Sequence, residues 1–192
     1  MVTTSVPSAG TREALDDFEL AAAISKKDEA AARLLFELHF DGLYRFLRHL
    51  TRHAEEAEDL AQQTLIRVLR SADRFDGRAS LRSWIYSFAL REYGRWRRRR
   101  LWAPLLCDVP AKHDVAEHAA NAALLLDAIS KLTPAHRATF LLHYVEGLSL
   151  EEISAAQDVP LGTIKSRLHF ARTHLKSLLE QEEFYTVEPC RS

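Results

Sequence analysis

Two stretches of this chain concentrate the residue types that bind polyanions. Residues 73–100 carry nine Arg against three acidic residues, and residues 161–180 carry four Lys and Arg against one Glu. The stretch between them, 101–160, reverses the balance with eight acidic and three basic residues. The formal net charge is only −1, from 26 Lys and Arg against 27 Asp and Glu, so whole-chain charge says nothing of a polyanionic partner. The distribution does: nucleic acid is expected at two separate places.

The two islands differ in kind. In the first, Arg91, Arg95 and the run Arg97 to Arg100 interleave with Tyr86, Tyr93, Trp96 and Trp102, so cations can hold phosphates while aromatic faces stack on unpaired bases. The same residues also suit an ordinary Arg-rich helix end, favoured by the helix dipole, with Trp84 and Phe88 turned to a core. In the second island Ile164, Leu168, Ala171, Leu175 and Leu178 recur at helical spacing, which leaves Lys165, Ser166, His169, Arg172 and Lys176 chiefly on other faces. A polar, basic helix of that kind suits the major groove, where Lys, Arg and Ser reach base edges and phosphates. A helical hairpin with a solvated basic face shares the pattern.

Catalytic and metal chemistry find little to work with. There is no phosphate-cradling Gly-rich loop and no His-Glu-x-x-His motif. His49 and His53 share a helix face, and Cys107, His113 and His118 outline part of a zinc site, but a clear fourth ligand is missing, so these read as surface residues. No enzyme, catalytic residue, metal or cofactor is expected. The two Cys, Cys107 and Cys190, make no disulfide scaffold, and no apolar run approaches the ~20 residues of a membrane span. Met1 to Gly10 lacks the basic and apolar regions of a secretion signal and reads as a disordered tail. A reducing, cytoplasmic setting follows.

The elements that must position the islands are helical throughout. The clearest helix runs from Ala54 to Leu69, with Ala57, Leu60, Ala61, Thr64, Leu65, Val68 and Leu69 on one side and Glu55, Glu56, Asp59, Gln62, Gln63 and Arg70 largely on others. Upstream, Asp28 caps a helix toward Leu50 that buries Leu34, Leu35, Leu38, Phe46 and Leu47 and bends near Asp41-Gly42. Asp76-Gly77 marks a turn, and Ser80 caps a helix that packs Leu81, Trp84, Ile85, Phe88 and Ala89. From Leu101 to Asn121 the apolar period lapses around Pro104 and Pro110, which predicts a linker.

Beyond it, Thr133-Pro134 opens a helix that Gly147 closes, and Ser149 with Glu152 forms a capping box for a short helix from Leu150. Val159-Pro160 stops that helix and starts another, with Pro160 in its first turn. The expectation is an all-α chain of two small helical domains joined by a linker, the second containing a helix-turn-helix. Its parts are a disordered tail over 1–16, a first domain over 17–100, a linker over 101–121, a second domain over 122–182 and a C-terminal tail over 183–192. Residue patterns alone leave open a helix-turn-helix regulator of another kind and a helical adaptor that binds no DNA.

A resemblance narrows these. Ala57-Glu58-Asp59-Leu60-Ala61-Gln62, Arg74-Phe75, Trp84-Ile85 with Ala89, and the Arg run resemble region two of the extracytoplasmic-function (ECF) sigma factors of bacterial RNA polymerase. Gly147-Leu148-Ser149, Glu151-Glu152-Ile153 and Pro160-Leu161-Gly162-Thr163-Ile164-Lys165-Ser166-Arg167-Leu168 resemble their region four, in the family's order. The resemblance implies an alternative sigma factor that binds core RNA polymerase, directs it to particular promoters and helps open the DNA. It implies that Asp59, Gln62 and Gln63 meet the polymerase. Arg74, Arg78, Ser80, Tyr86, Arg91, Arg95, Arg97 and Arg98 would contact the downstream promoter element, and Thr163, Lys165, Ser166, Arg167, His169 and Arg172 the upstream element. It implies an anti-sigma factor as a further partner, and no insertion into a membrane. The chain departs from the family's usual residues at Gln63, at Leu90-Arg91 and at Phe170, positions that bear on promoter preference rather than class.

Overall fold

The computed structural model describes residues 16–102 and 120–185, with side chains over 16–100 and 125–178, and is all-helical over those residues. Expectations for the tails, for most of the linker, and for Cys107, His113, His118 and Cys190 lie outside the described residues. Eight α-helices follow in order: α1 (Asp17–Ser25), α2 (Glu29–Thr51), α3 (Ala54–Arg70), α4 (Leu81–Trp102), α5 (Ala120–Lys131), α6 (Pro134–Tyr144), α7 (Leu150–Gln157) and α8 (Leu161–Tyr185). A 3-10 turn over Ala72–Arg74 leads from α3 toward α4.

Helices α1–α4 form a first bundle. Asp16 and Glu19 make a reciprocal capping box at the start of α1, a D-x-x-E signal the sequence reading passed over. Asp28 caps α2 through Ala30 N–H at 2.8 Å and Ala31 N–H at 3.2 Å. In α3 the expected apolar row is buried except for Leu69 at its end, which is partly buried, and Thr64 within the row donates its hydroxyl to the Leu60 carbonyl at 2.7 Å. Glu92 of α4 is buried and held by Arg67 of α3 and Arg95 of α4, each at 2.6 Å.

Three local expectations are corrected. The helix α2 runs unbroken through Asp41-Gly42: a Cβ on Gly42 would stand 3.2 Å from the Tyr86 hydroxyl and 3.3 Å from Glu146 Oε2, so the glycine serves a close approach and not a bend. Leu38 is 61 % exposed because it falls beside the row formed by Ala31, Leu35, Leu43, Phe46 and Leu47. Helix also extends into the expected linker at both ends and into the expected C-terminal tail as far as Tyr185.

Helices α5–α8 form a second bundle. Arg137 of α6 ties α5 down by donating to carbonyls at its C-terminal end, those of Ile129 at 3.1 Å, Leu132 at 3.0 Å and Ser130. Gly147 takes a left-handed φ of +69° and lets Leu148 N–H reach the Leu142 carbonyl at 2.9 Å, closing α6. The Ser149–Glu152 box opens α7, and Asp158, at φ +52°, turns the chain toward α8. Pro160 stands just ahead of α8 rather than inside it, its carbonyl accepting from Thr163 N–H at 2.8 Å. The two bundles dock: α4 packs as closely against α7 as against α3, and buried residues of both form one continuous core.

Candidate nucleic-acid and polymerase interfaces

The first candidate surface lies on α3. Burying Ala57, Leu60, Ala61 and Leu65 turns Glu55, Glu58, Asp59 and Gln62 outward, where with Glu56 they line a shallow acidic recess. Gln62 Nε2 reaches Glu58 Oε1 at 3.4 Å, while Glu56 accepts from Trp96 Nε1 at 2.7 Å and thereby ties α4 to the recess. Gln63 is only half-exposed, at the margin of this face. Clustered carboxylates without a basic neighbour in the recess suit a basic protein surface.

The second surface is the loop 74–80 with α4. Arg74 and Arg78 are exposed; Arg78 pairs with Asp76 at 3.3 Å, a contact that contributes little. Phe75, Trp84 and Phe88 form an edge-on aromatic series with centroid spacings of 5.4 and 4.8 Å, and the Arg91 guanidinium lies 4.3 Å over Phe88. Arg95 is drawn to Glu92, whereas Arg97 and Arg98 are exposed. A cleft of about 640 Å³ opens between α4 and the second bundle, and Arg91, Arg95, Arg97, Arg98 and Arg167 all line it. Arginines from both sequence islands thus converge on one cavity.

Two residues expected at the downstream element are not presented. The Ser80 hydroxyl donates to Glu152 Oε1 at 2.5 Å, and Tyr86 is buried with its hydroxyl donating to Glu146 Oε2 at 2.5 Å. Arg82 donates to the Glu146 carbonyl and lies 3.5 Å from its carboxylate, and Ser83 donates to the Glu152 carbonyl at 2.7 Å. Burial, then the Glu146 carboxylate beside it, pushes the Tyr86 phenol well above its ordinary pKa. The Ser80 hydroxyl holds Glu152 below the ordinary carboxylate value, with Ser149 adding to the effect. Sequence reasoning missed Arg82, Glu146 and Glu152 as partners, since each reads in isolation as a solvated charge.

The third surface is α8, the second helix of the helix-turn-helix. Ile164, Leu168, Ala171 and Leu175 face the core, and Lys165, Ser166, His169 and Arg172 are exposed. Thr163 is half-buried, and its carbonyl accepts from the Ser166 hydroxyl at 2.9 Å. Arg167 turns back, donating to Gln157 Oε1 of α7 at 2.5 Å, and so braces the motif instead of standing with the exposed side chains. Phe170 is 48 % exposed, between His136 of α6 at 4.4 Å and His174 at 5.8 Å between ring centroids. Among the described residues no three His, Cys, Asp or Glu converge as metal ligands, and no helix is long and apolar enough to cross a membrane.

Known proteins resemble this chain over both bundles. The Sigma-70 region 2 family model matches residues 35–103, and the model for Sigma-70, region 4 matches residues 122–175. The ECF RNA polymerase sigma factor SigE of Mycolicibacterium smegmatis is 32 % identical over 174 residues, covering 84 % of this chain and 67 % of that protein. The RNA polymerase sigma-E factor of Streptomyces avermitilis is 32 % identical over 153 residues, 74 % of this chain and 82 % of its own. Among solved structures, the sigma factor RpoE from Bartonella quintana, in complex with the anti-sigma factor NepR, aligns with a TM-score of 0.66 at 26 % identity, over 77 % of this chain and 96 % of that one. With both sigma regions matched in order and relatives of this similarity spanning most of its length, the chain belongs to the ECF family of RNA polymerase sigma factors, which are transcription initiation factors.

Proposed function

We propose that this alternative sigma factor divides its work among the three surfaces. The acidic α3 face, centred on Asp59 and Gln62 with Gln63 at its margin, docks on a basic surface of core RNA polymerase. The loop from Arg74, with Arg78, and the cationic end of α4, through Arg91, Arg95, Arg97 and Arg98, capture the opened downstream element. There cations follow the strand backbone. The exposed face of α8, with Lys165, Ser166, His169 and Arg172, reads the upstream element as duplex. On this reading the working units span 17–100 and 122–182.

One observation carries the reading: an acidic α3 face and an exposed basic α8 face stand on separate bundles of one chain, in the order of sigma regions 2 and 4. A regulator acting alone needs the second face but not the first. The role is one of binding and positioning, without catalysis by this chain, in the cytoplasm where polymerase and promoters are met. An anti-sigma factor as a partner is supported by the complex of the relative from Bartonella quintana. Ser80 and Tyr86 join the downstream contacts only after α4 and α7 part, because both are engaged by the second bundle here.

The test is transcription in vitro with core polymerase and the full chain on a library of promoter fragments. Specific start sites that depend on the chain are expected. Absence of any such start site defeats the reading.

A further inference from the structure

An aromatic ring in the middle of a polar helix face calls for an account. On α8, Ser166 lies one turn before Phe170 and Thr173 one turn after it, and His169 adjoins it; all three are exposed. Phe170 nevertheless sits among them with about half its surface open. Its ring lies nearly parallel to that of His136 at an interplanar angle of 23° and to that of His174 at 20°. His136 is itself fixed, its Nδ1 2.7 Å from the Thr133 hydroxyl at the start of α6. Ordering of the ring is therefore largely complete before any partner arrives, which favours binding.

A plain structural role would be a clasp between α6 and α8. That contact already has its own buried set in Ala138, Leu141 and Leu142 of α6 and Leu168 and Ala171 of α8. A clasp also gains by covering its ring, and here 48 % of Phe170 stays open to solvent. Phe170 can neither pair with phosphate nor hydrogen-bond a base edge. Burial first, then Arg167 and His174, lower the His136 pKa, which disfavours a charged ring beside Phe170. Across the major-groove edges of the four base pairs, the apolar group on offer is the C5-methyl of thymine.

We propose that Phe170, stacked on His136 and beside His174 on the exposed face of α8, is a specificity-determining residue that reads a thymine methyl in the upstream promoter element. This rests on the assignment of α8 to that element and names one of its contacts.

The test uses the full chain with core polymerase. Its upstream element is first defined by selecting transcribed promoters from a library randomised in that region. Each thymine of the selected element is then replaced by deoxyuridine, which removes the methyl and leaves every hydrogen-bonding group in place. At one thymine the wild-type holoenzyme should bind about fourfold more weakly after replacement, the effect of one buried methyl-sized group. Phe170→Ala should bind the two templates equally, and Phe170→Leu should keep part of the discrimination.

Two results overturn the proposal while leaving α8 as the reader: a selected element whose thymines all tolerate deoxyuridine, or discrimination that survives Phe170→Ala. The first of these needs no variant, so it stands even if a substitution perturbs folding. A holoenzyme with no upstream preference of any kind overturns the assignment of α8 and this inference with it.

Discussion

The Tyr86 hydroxyl donates to Glu146 Oε2 at 2.5 Å, and sixty residues of chain separate these two partners. Tyr86 belongs to the first bundle and Glu146 to the turn after α6 in the second, so one hydrogen bond ties an expected promoter-contacting helix to the other bundle. Glu146 is buried, and beyond Tyr86 its carboxylate has only Arg82 at 3.5 Å, while Oε1 has no hydrogen-bond partner. Tyr86→Phe removes the shorter of the two contacts and leaves a buried carboxylate poorly satisfied, at a cost of about 1–3 kcal/mol. Hydrogen exchange should speed up at the facing residues of α4 and α7 and much less in α3. Equal exchange in the two proteins would show that the bond does not hold the bundles together.

Docking should also weaken at both ends of the pH scale. The Glu152 pKa is depressed in the docked state, chiefly by the Ser80 hydroxyl, so its contribution is complete above the free carboxylate value and is lost as pH falls through the depressed one. The Tyr86 pKa is raised, first by burial and then by Glu146, so its contribution is complete below the free phenol value of about 10 and is lost as pH climbs toward the raised one. The radius of gyration from solution scattering should be smallest at intermediate pH. Ser80→Ala should soften the acid limb and Tyr86→Phe should remove the alkaline one; limbs that ignore these substitutions would refute the assignment.

Asp59→Ala combined with Gln62→Ala should weaken binding to core polymerase and shift thermal stability by no more than about 0.5 kcal/mol, because both side chains are exposed on the face of α3 opposite its buried row. Titration of core polymerase with labelled chain measures the first effect and thermal melting the second. Unchanged affinity would mean that the polymerase contact lies on another face.

Lys165→Ala should alter preference among upstream elements, costing about 1–3 kcal/mol on favoured sites where a base contact is lost. Neutralising Arg97 to Arg100 should instead weaken all promoters and flatten the salt dependence by about 0.7 log units per lost contact to single strand. Arg167→Ala belongs to neither class: its guanidinium braces α8 against Gln157, so stability should fall along with binding. Holoenzyme binding to matched, mismatched and pre-melted templates separates the three. If Lys165→Ala and the Arg run respond alike to mismatch and to pre-melting, the two surfaces do not have separate tasks.

What the sequence revealed depended on how local the signal was. The α3 row, the Ser149–Glu152 box and the turn into α8 are written in spacings of three and four residues, and the structure forms all of them. The Asp16–Glu19 box was equally local but preceded only nine helical residues with a weakly sided pattern, so it went unread. Docking of the bundles left no such trace. Ser80 with Glu152, and Tyr86 with Glu146, join across more than fifty residues. A tyrosine within a basic stretch looks the same in sequence whether it awaits a base or already holds a carboxylate.

Gly42 shows what the docked arrangement demands of the sequence. A glycine inside a continuous helix disfavours that helix by about 1 kcal/mol relative to alanine, and within the first bundle the only return is room for the Tyr86 hydroxyl. The return is complete only when Glu146 of the second bundle joins Tyr86 over the bare backbone. Local preference and long-range contact therefore pull in opposite directions at this position. Alanine at 42 would favour the isolated helix while crowding the closed pair, so the identity of one residue tilts the molecule between a more rigid part and a more compact whole.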